Sequence, residues 1–280
     1  MNSVEHLLPS IVAEAMFQAQ EQSIMRGLVR NYTLSGGQGT TVTVPIYNNA
    51  TAASVTEGTD LTNDTGMGTT SAVLTVAEVG VMTTVTDLAL RSASSNVVAD
   101  VGRIMGAAIA KKIDQDLIGL FAALNNGTAI GSNSTVMSAA QIFEAVAKLR
   151  AIGVTGNDLA CVVNPFVAYD MKSTLTNSFV GQDASSDVAN EAMRSGYVGT
   201  IAGVPVYESS NVPHTTGDSV GGIFHRDALG LAMMQDISIE TQRDASMRAS
   251  ELIATAVYGV GELFDTYGFP LSADSSIANP

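Results

Sequence analysis

The stretch that most constrains this fold runs from Ser92 to Gly127, SASSNVVADVGRIMGAAIAKKIDQDLIGLFAALNNG. Val97, Val101, Ile104, Ala108, Ile109, Ile113, Leu117, Leu120 and Leu124 fall at three- and four-residue steps, which places them on one stripe of an α-helix. Ser94 and Ser95 can accept hydrogen bonds from the unpaired N–H groups of a helix start, and Asn125, Asn126 and Gly127 tolerate the positive φ of a helix stop. About thirty residues at 1.5 Å each make a rod of about 45 Å, longer than a small domain is wide. The rest of the chain is therefore expected to lie along it.

Composition narrows what such a rod can serve. The 280 residues are 46% hydrophobic, enough for one large or two ordinary domains. Charged residues reach only 14% and Trp is absent, so the surface must be rich in Ser, Thr, Asn and Gly, which suits a chain in lasting contact with its own copies. A net charge of −14 repels phosphate backbones and anionic membranes and disfavours a direct nucleic-acid reader. Cys161 stands alone within LACVVN, so a disulfide framework is excluded and a buried thiol is expected. The first fifteen residues, MNSVEHLLPSIVAEA, have no basic n-region, and no apolar run reaches the roughly 18 residues that cross a bilayer. The chain reads as cytosolic when made.

Taken in order, residues 1–35 hold a helix candidate after Pro9 and Ser10, with Ile11, Ala15, Met16, Ala19, Ile24 and Leu28 on a weak stripe. From Ser35 to Asp87 the period changes to two. Thr40 to Tyr47 and Ser71 to Asp87 read as strands, the second with Val73, Ala77, Val79, Val81 and Val85 on one face. More than twenty polar residues join them, so they form a long hairpin arm, and an isolated two-stranded ribbon needs a partner surface. After the long helix, Ser138 and Gln141 have capping-box spacing before a second helix to Ile152. Asp158 to Asn164 reads as a buried strand ended by Pro165, and Val188 to Arg194 as a short helix. Further strands are expected at Ile201–Tyr207, Val220–Phe224, Gly230–Met234, Ile237–Arg243 and Glu251–Phe264, with a disordered tail from Ser272.

Chemistry is sparse. Gly217-Asp218-Ser219-Val220-Gly221 fits G-x-S-x-G with His214, His225 and Asp227 nearby, but that motif needs a strand before the Ser and a helix after it. Here a loop precedes and a strand follows. His6, His214 and His225 are scattered, which leaves no metal-ligand spacing. Asp114 and Asp116 point about 200° apart on a helix and do not converge. Accordingly no catalytic, cofactor-binding or metal-binding residue is assigned, and the chain is not expected to be an enzyme.

Several stretches in a fixed order carry a resemblance: SVTEGTDL near the hairpin tip, TVTDLALRSASSNVVADVGRIMGAAIAKKIDQDLI into the long helix, then VVNPFVAYDM, IAGVPVYESSNVP and IFHRDALGLAM. From about Gly27 to Leu271 the chain resembles the major capsid proteins of tailed bacteriophages. The resemblance implies an α+β fold of the Hong Kong 97 type. Its parts would be an N-terminal arm (1–35), an extended loop or E-loop (36–86), a peripheral domain with the spine helix (87–135), an axial domain (136–249), a peripheral return strand (250–272) and a tail (273–280).

It also implies the function: a subunit that self-assembles through pentamers and hexamers into the icosahedral head shell enclosing the double-stranded DNA of a tailed phage, located in the virion. Scaffolding, portal and decoration proteins are the implied partners, and DNA is enclosed without sequence-specific binding. Some members crosslink subunits through an E-loop Lys, but residues 36–86 contain none, so that chemistry is not expected. Glu57, Gly58 and Asp60 at the hairpin tip are the expected intersubunit contacts, since a polar tip on an unsupported hairpin has no core to join. The alternatives are an encapsulin-like compartment of the same fold, a serine hydrolase using Ser219, and a secreted adhesive or fibre protein.

Overall fold

The computed structural model describes residues 23–35, 39–47, 50, 52, 54–58, 60, 68–88, 97–154, 158–179 and 200–277. Its frame is a four-stranded sheet in the order β1 (Arg30–Thr33), β11 (Leu229–Asp244), β12 (Ala249–Glu262) and β4 (Ala77–Thr86). β11 and β12 are joined by a tight turn and pair antiparallel from Leu229↔Glu262 to Asp244↔Ala249, as consecutive strands usually do. The long helix, α2 (Val97–Gly119), lies along this sheet. Met105, Ile109, Ile113 and Leu117 face inward and share a core with Ala254, Ala256 and Tyr258 of β12 and with Ile237 and Ile239 of β11. Full burial stabilises by about 1.5–3 kcal/mol for each large apolar side chain, so this seam fixes helix to sheet. A polar tie reinforces it: Tyr258 Oη donates to Asp116 at 2.8 Å, and within the helix Lys112 Nζ pairs with the same carboxylate at 2.7 Å.

A second sheet sits at the downstream end of α2, in the order β5 (Ile130–Val136), β13 (Gly268–Asp274), β10 (Asp218–His225), β6 (Leu159–Val163), β8 (Val204–Glu208) and β7 (Thr200–Ile201), with β9 (His214–Thr215) against β10. Helices α3 (Ala139–Ala151) and α4 (Pro165–Phe179) supply Ile142, Leu149, Val167 and Met171 to its core. Ser138 starts α3 as its spacing predicts, with the Ser138 N–H donating to Gln141 Oε1 at 2.7 Å. Every residue of β6 is buried, Cys161 included. Among the described residues the remaining strands, β2 (Thr41–Tyr47) and β3 (Thr69–Thr75), pair with each other alone, from Thr41↔Thr75 to Tyr47↔Thr69.

Several expectations need correction. The long helix stops at Gly119; Phe121–Gly127 is a 3-10 turn in which Leu124 leaves helical geometry and Asn125 and Asn126 adopt φ of 51° and 52°. The cause lies in the second sheet: Phe121 is fully buried, 5.3 Å from the Phe224 ring, and covers Gly222, where a Cβ would meet its ring at 2.7 Å. Ile104 and Ala108 face outward, Ile104 being 68% exposed, because the buried stripe runs through Met105 and Ile109 instead. In the Ser71–Asp87 run the inward face changes parity. Leu74 and Val76 are buried, Val73 is exposed, and Val79, Val81 and Val85 then face in. Val76, whose N–H donates to Thr40 O at 2.9 Å, lies between β3 and β4, and the alternation slips just past it, where Ala77 and Glu78 are both exposed as the chain enters the long sheet.

α4 was not expected. Pro165 opens it rather than merely ending β6, and Asn164 Oδ1 accepts the Phe166 N–H at 3.0 Å as a cap. The two strands expected at 230–243 are one 16-residue strand interrupted by register shifts between Met233 and Ser238. The strand runs expected within 136–249 and 250–272 are shared differently: β11 belongs to the long sheet, whereas β13 joins the second sheet and continues to Asp274. Beyond it, Ser275 Oγ and the Ser276 N–H donate to the buried Asp170 carboxylate at 3.0 and 2.9 Å, so this part of the tail is fastened. Of the first helix candidate, Met25–Leu28 is helical (α1), its earlier residues 10–22 lie outside the described residues, and so does the helix expected at 188–194.

Candidate functional site

The sequence motif with catalytic lettering does not assemble. Ser219 lies within β10, buried, directly opposite His214 of β9, with a strand rather than a helix following it. Its Oγ and both ring nitrogens of His214 are buried without a hydrogen-bond partner, so no proton relay links them. His225 Nδ1 accepts the Asp227 N–H at 3.2 Å, and the Asp227 carboxylate is held by Arg30 at 2.7 Å. Ser, His and Asp are thus engaged separately. Among the described residues no group of His, Cys, Asp or Glu could hold a metal ion, and no helix is long and apolar enough to cross a membrane. Burial pushes the Cys161 thiol up to about 12, which removes it as a nucleophile at neutral pH.

What the molecule does present is surface. The β2–β3 ribbon is held at its base by a small core of Leu34, Leu74, Val76, Ala232 and Leu263. Gly259 of β12 permits the close approach there, since a Cβ would lie 2.1 Å from Thr75 O and 3.0 Å from Val76 Cα. Among the described residues the ribbon has no third strand, and Tyr47 and Val73 are exposed on it. Glu57 and Gly58 form a turn with Gly58 at φ 81°, and both they and Asp60 are exposed. The three expected contact residues are thus all exposed, in the connection between β2 and β3.

The opposite end of the long sheet is a second exposed region. Arg243 holds Asp87 through two hydrogen bonds of 2.6 and 2.7 Å, bracing β4 against β11. In the β11–β12 turn, Asp244 Oδ1 accepts the N–H groups of Ser246 and Met247 at 2.8 and 3.1 Å. The Ser246 hydroxyl adds a third donor, and together they hold the Asp244 carboxyl below the usual carboxylate range. Met82, Leu88 and Met247 are exposed at this end. Large apolar side chains gathered at a ribbon and at a sheet end are surface that association can bury.

Sequence reasoning missed Asp114. It is fully buried on α2, accepts Ser23 Oγ at 2.9 Å and the Ile24 N–H at 3.2 Å, and so fastens the start of α1 to the long helix. Desolvation raises its pKa, while those donors oppose the rise. Its position between Ala110 and Ile118 on the inward stripe is the signal that could have found it.

A helix laid along a long sheet, a second sheet at its end and a protruding two-stranded ribbon define a shell-forming subunit of the Hong Kong 97 type. The family model described as phage capsid protein matches residues 69–269, and the chain belongs to that family. It is a phage capsid protein, a structural subunit of the capsid shell. The fold is similar to that of the cyanophage P-SCSP1u capsid (TM-score 0.69, 19% identity, 91% of this chain and 89% of that one). It is also similar to a structure from Mycobacterium phage Che8 (TM-score 0.67, 20% identity, 89% and 91%). A third similar structure is the SrpI encapsulin of Synechococcus elongatus PCC 7942 (TM-score 0.66, 11% identity, 91% and 89%). No curated protein matches the chain.

Proposed function

We propose that this chain is the major capsid protein of a tailed bacteriophage and acts only through assembly, without an enzymatic step. The family match over residues 69–269 carries this reading. In it the subunits close an icosahedral shell through pentamers and hexamers, and double-stranded DNA is enclosed rather than read. Closure from one repeated chain needs heterologous contacts around each subunit, and many weak contacts add up through avidity. The acidic chain repels its copies, so salt within a Debye length of about 8–10 Å promotes closure. Synthesis in the host cytoplasm, a separate scaffold, a portal and decorating proteins complete the proposal.

The parts divide the work as follows. Residues 1–35 form the arm, and the ribbon within 36–86 is the E-loop. The long sheet with α2 is the peripheral domain, and the second sheet with α3 and α4 is the axial domain. Glu57, Gly58 and Asp60 contact a neighbouring subunit, a role supported by their exposure in the connection of a ribbon that is packed against the frame at its base. Deleting Thr51 to Gly68 should leave a folded subunit that fails to close shells. Particles of wild-type form from that deletion would remove the tip from the assembly mechanism. An encapsulin-like compartment is the second reading, supported by the likeness to SrpI; co-purifying protein cargo in place of DNA would favour it.

A further inference from the structure

We propose that Asp170 and the strap of residues 275–277 form a catch that holds α4 shut over the second sheet, and that α4 opens as a unit when the catch is undone. Asp170 is only 2% exposed and lies on the inward stripe of α4, among Val167, Ala168 and Met171. A position of that kind is ordinarily apolar, because a carboxylate taken out of water is costly unless donors surround it. Here donors come from the chain just past β13. Ser275 Oγ donates to Asp170 Oδ2 at 3.0 Å and the Ser276 N–H to the same oxygen at 2.9 Å, while the Ser276 hydroxyl donates to Oδ1.

The two sides of the catch are anchored differently. The serine side belongs to the sheet: β13 runs between β10 and β5, the Ser275 N–H donates to Gly217 O at 2.9 Å, and the Ile277 N–H donates to Ser275 Oγ at 3.2 Å. The pairing of β13 and the bond to Gly217 need nothing from Asp170. The helix side rests on less. Its apolar seat is Val167, Ala168 and Met171, and Tyr169 on the other face is 55% exposed. Lys172 adds a part-exposed ion pair with Glu208 of β8, a kind of contact that holds weakly.

The start of α4 is the fixed end. Asn164 is buried, its Nδ2 donates to Val212 O at 2.8 Å, and its Oδ1 caps the helix at the Phe166 N–H. A helix seated by three apolar side chains with a charge in their midst stays down only while that charge is matched. The serines are therefore the part that sets whether α4 is open or closed.

Hydrogen exchange read by mass spectrometry on the full chain as unassembled subunits tests this, with α3, which packs into the same core, as the internal control. Taking hydroxyl partners from a buried charge shifts an opening equilibrium by about tenfold to a hundredfold. Amides 168–173 should exchange at least about tenfold faster in Ser275→Ala/Ser276→Ala than in the wild type, while those of α3 and β6 keep their rates. Adding Asp170→Asn removes the unmatched charge and should return α4 most of the way to the wild-type rate. Ser276→Ala alone should show the same pattern more weakly, and it serves if the double substitution does not fold. Equal α4 exchange in the wild type and the serine variants would overturn the proposal. So would a rise shared equally by α3, since the whole sheet would then be opening, and so would the absence of any return on adding Asp170→Asn.

Discussion

Gly259→Ala tests how the ribbon is attached to the frame. The added Cβ would lie 2.1 Å from Thr75 O, 2.6 Å from Thr75 C and 3.0 Å from Val76 Cα. All three atoms are backbone, so no rotamer change relieves the overlap, and the β3–β4 junction must move by an ångström or more. That junction carries Leu74 and Val76 into the small core with Leu34, Ala232 and Leu263, and moving it loosens the ribbon where it is anchored. Overpacking of this kind costs about 1–3 kcal/mol. With a urea dependence of about 2.5 kcal/mol/M, the unfolding midpoint of the unassembled subunit should fall by roughly 0.4–1.2 M. Gly119→Ala is the matched control, since a Cβ there meets nothing within 4 Å and φ is unstrained. It should hold the midpoint or raise stability by about 0.4–1 kcal/mol. Electron microscopy should show fewer closed particles for Gly259→Ala than for the control. An unchanged midpoint together with normal particles would refute the claim that backbone contact at Gly259 sets the ribbon's position.

Phe121→Ala removes the fully buried ring that joins α2 to the second sheet over Gly222 and should cost about 3–5 kcal/mol by urea unfolding. Cys161, its thiol pushed up to about 12 by burial, should not react with a disulfide reagent at pH 8 in native subunits and should react fully once they are unfolded. Asp114 titrates above an unfolded aspartate, so the native state holds an extra proton across that interval and stability falls as pH rises through it. Urea midpoints between pH 4 and 7 should show that downward contribution in the wild type and its loss in Asp114→Asn.

The long helix was legible because its pattern is local: a 3.6-residue period seals one face whatever the partner. Its end was not, because Phe121 finds its seat at Gly222, about a hundred residues further on. The capping box at Ser138 and Gln141 is complete within four residues, and it appears where its spacing puts it. Pro165 carries two meanings, strand end and first helical residue, and only the Asn164 cap together with Val167 and Met171 separates them. The parity change at Ala77 and Glu78 leaves no local trace, since it arises where the chain changes sheets. Glu57, Gly58 and Asp60 were legible as exposed polar residues, whereas the contact with a neighbouring subunit proposed for them is beyond the reach of one chain's pattern. Ser219 shows the converse case, in which the motif letters match but the strand and helix order required by the chemistry does not.

The central claim is that this subunit closes shells, and electron microscopy of the purified chain at low and moderate salt tests it most directly. The account predicts uniform hollow particles, with rings of five and six subunits at low salt giving way to closed shells as salt screens the acidic surface. A chain that stays monomeric or dimeric across that range, also when co-expressed with a scaffolding partner, would contradict it.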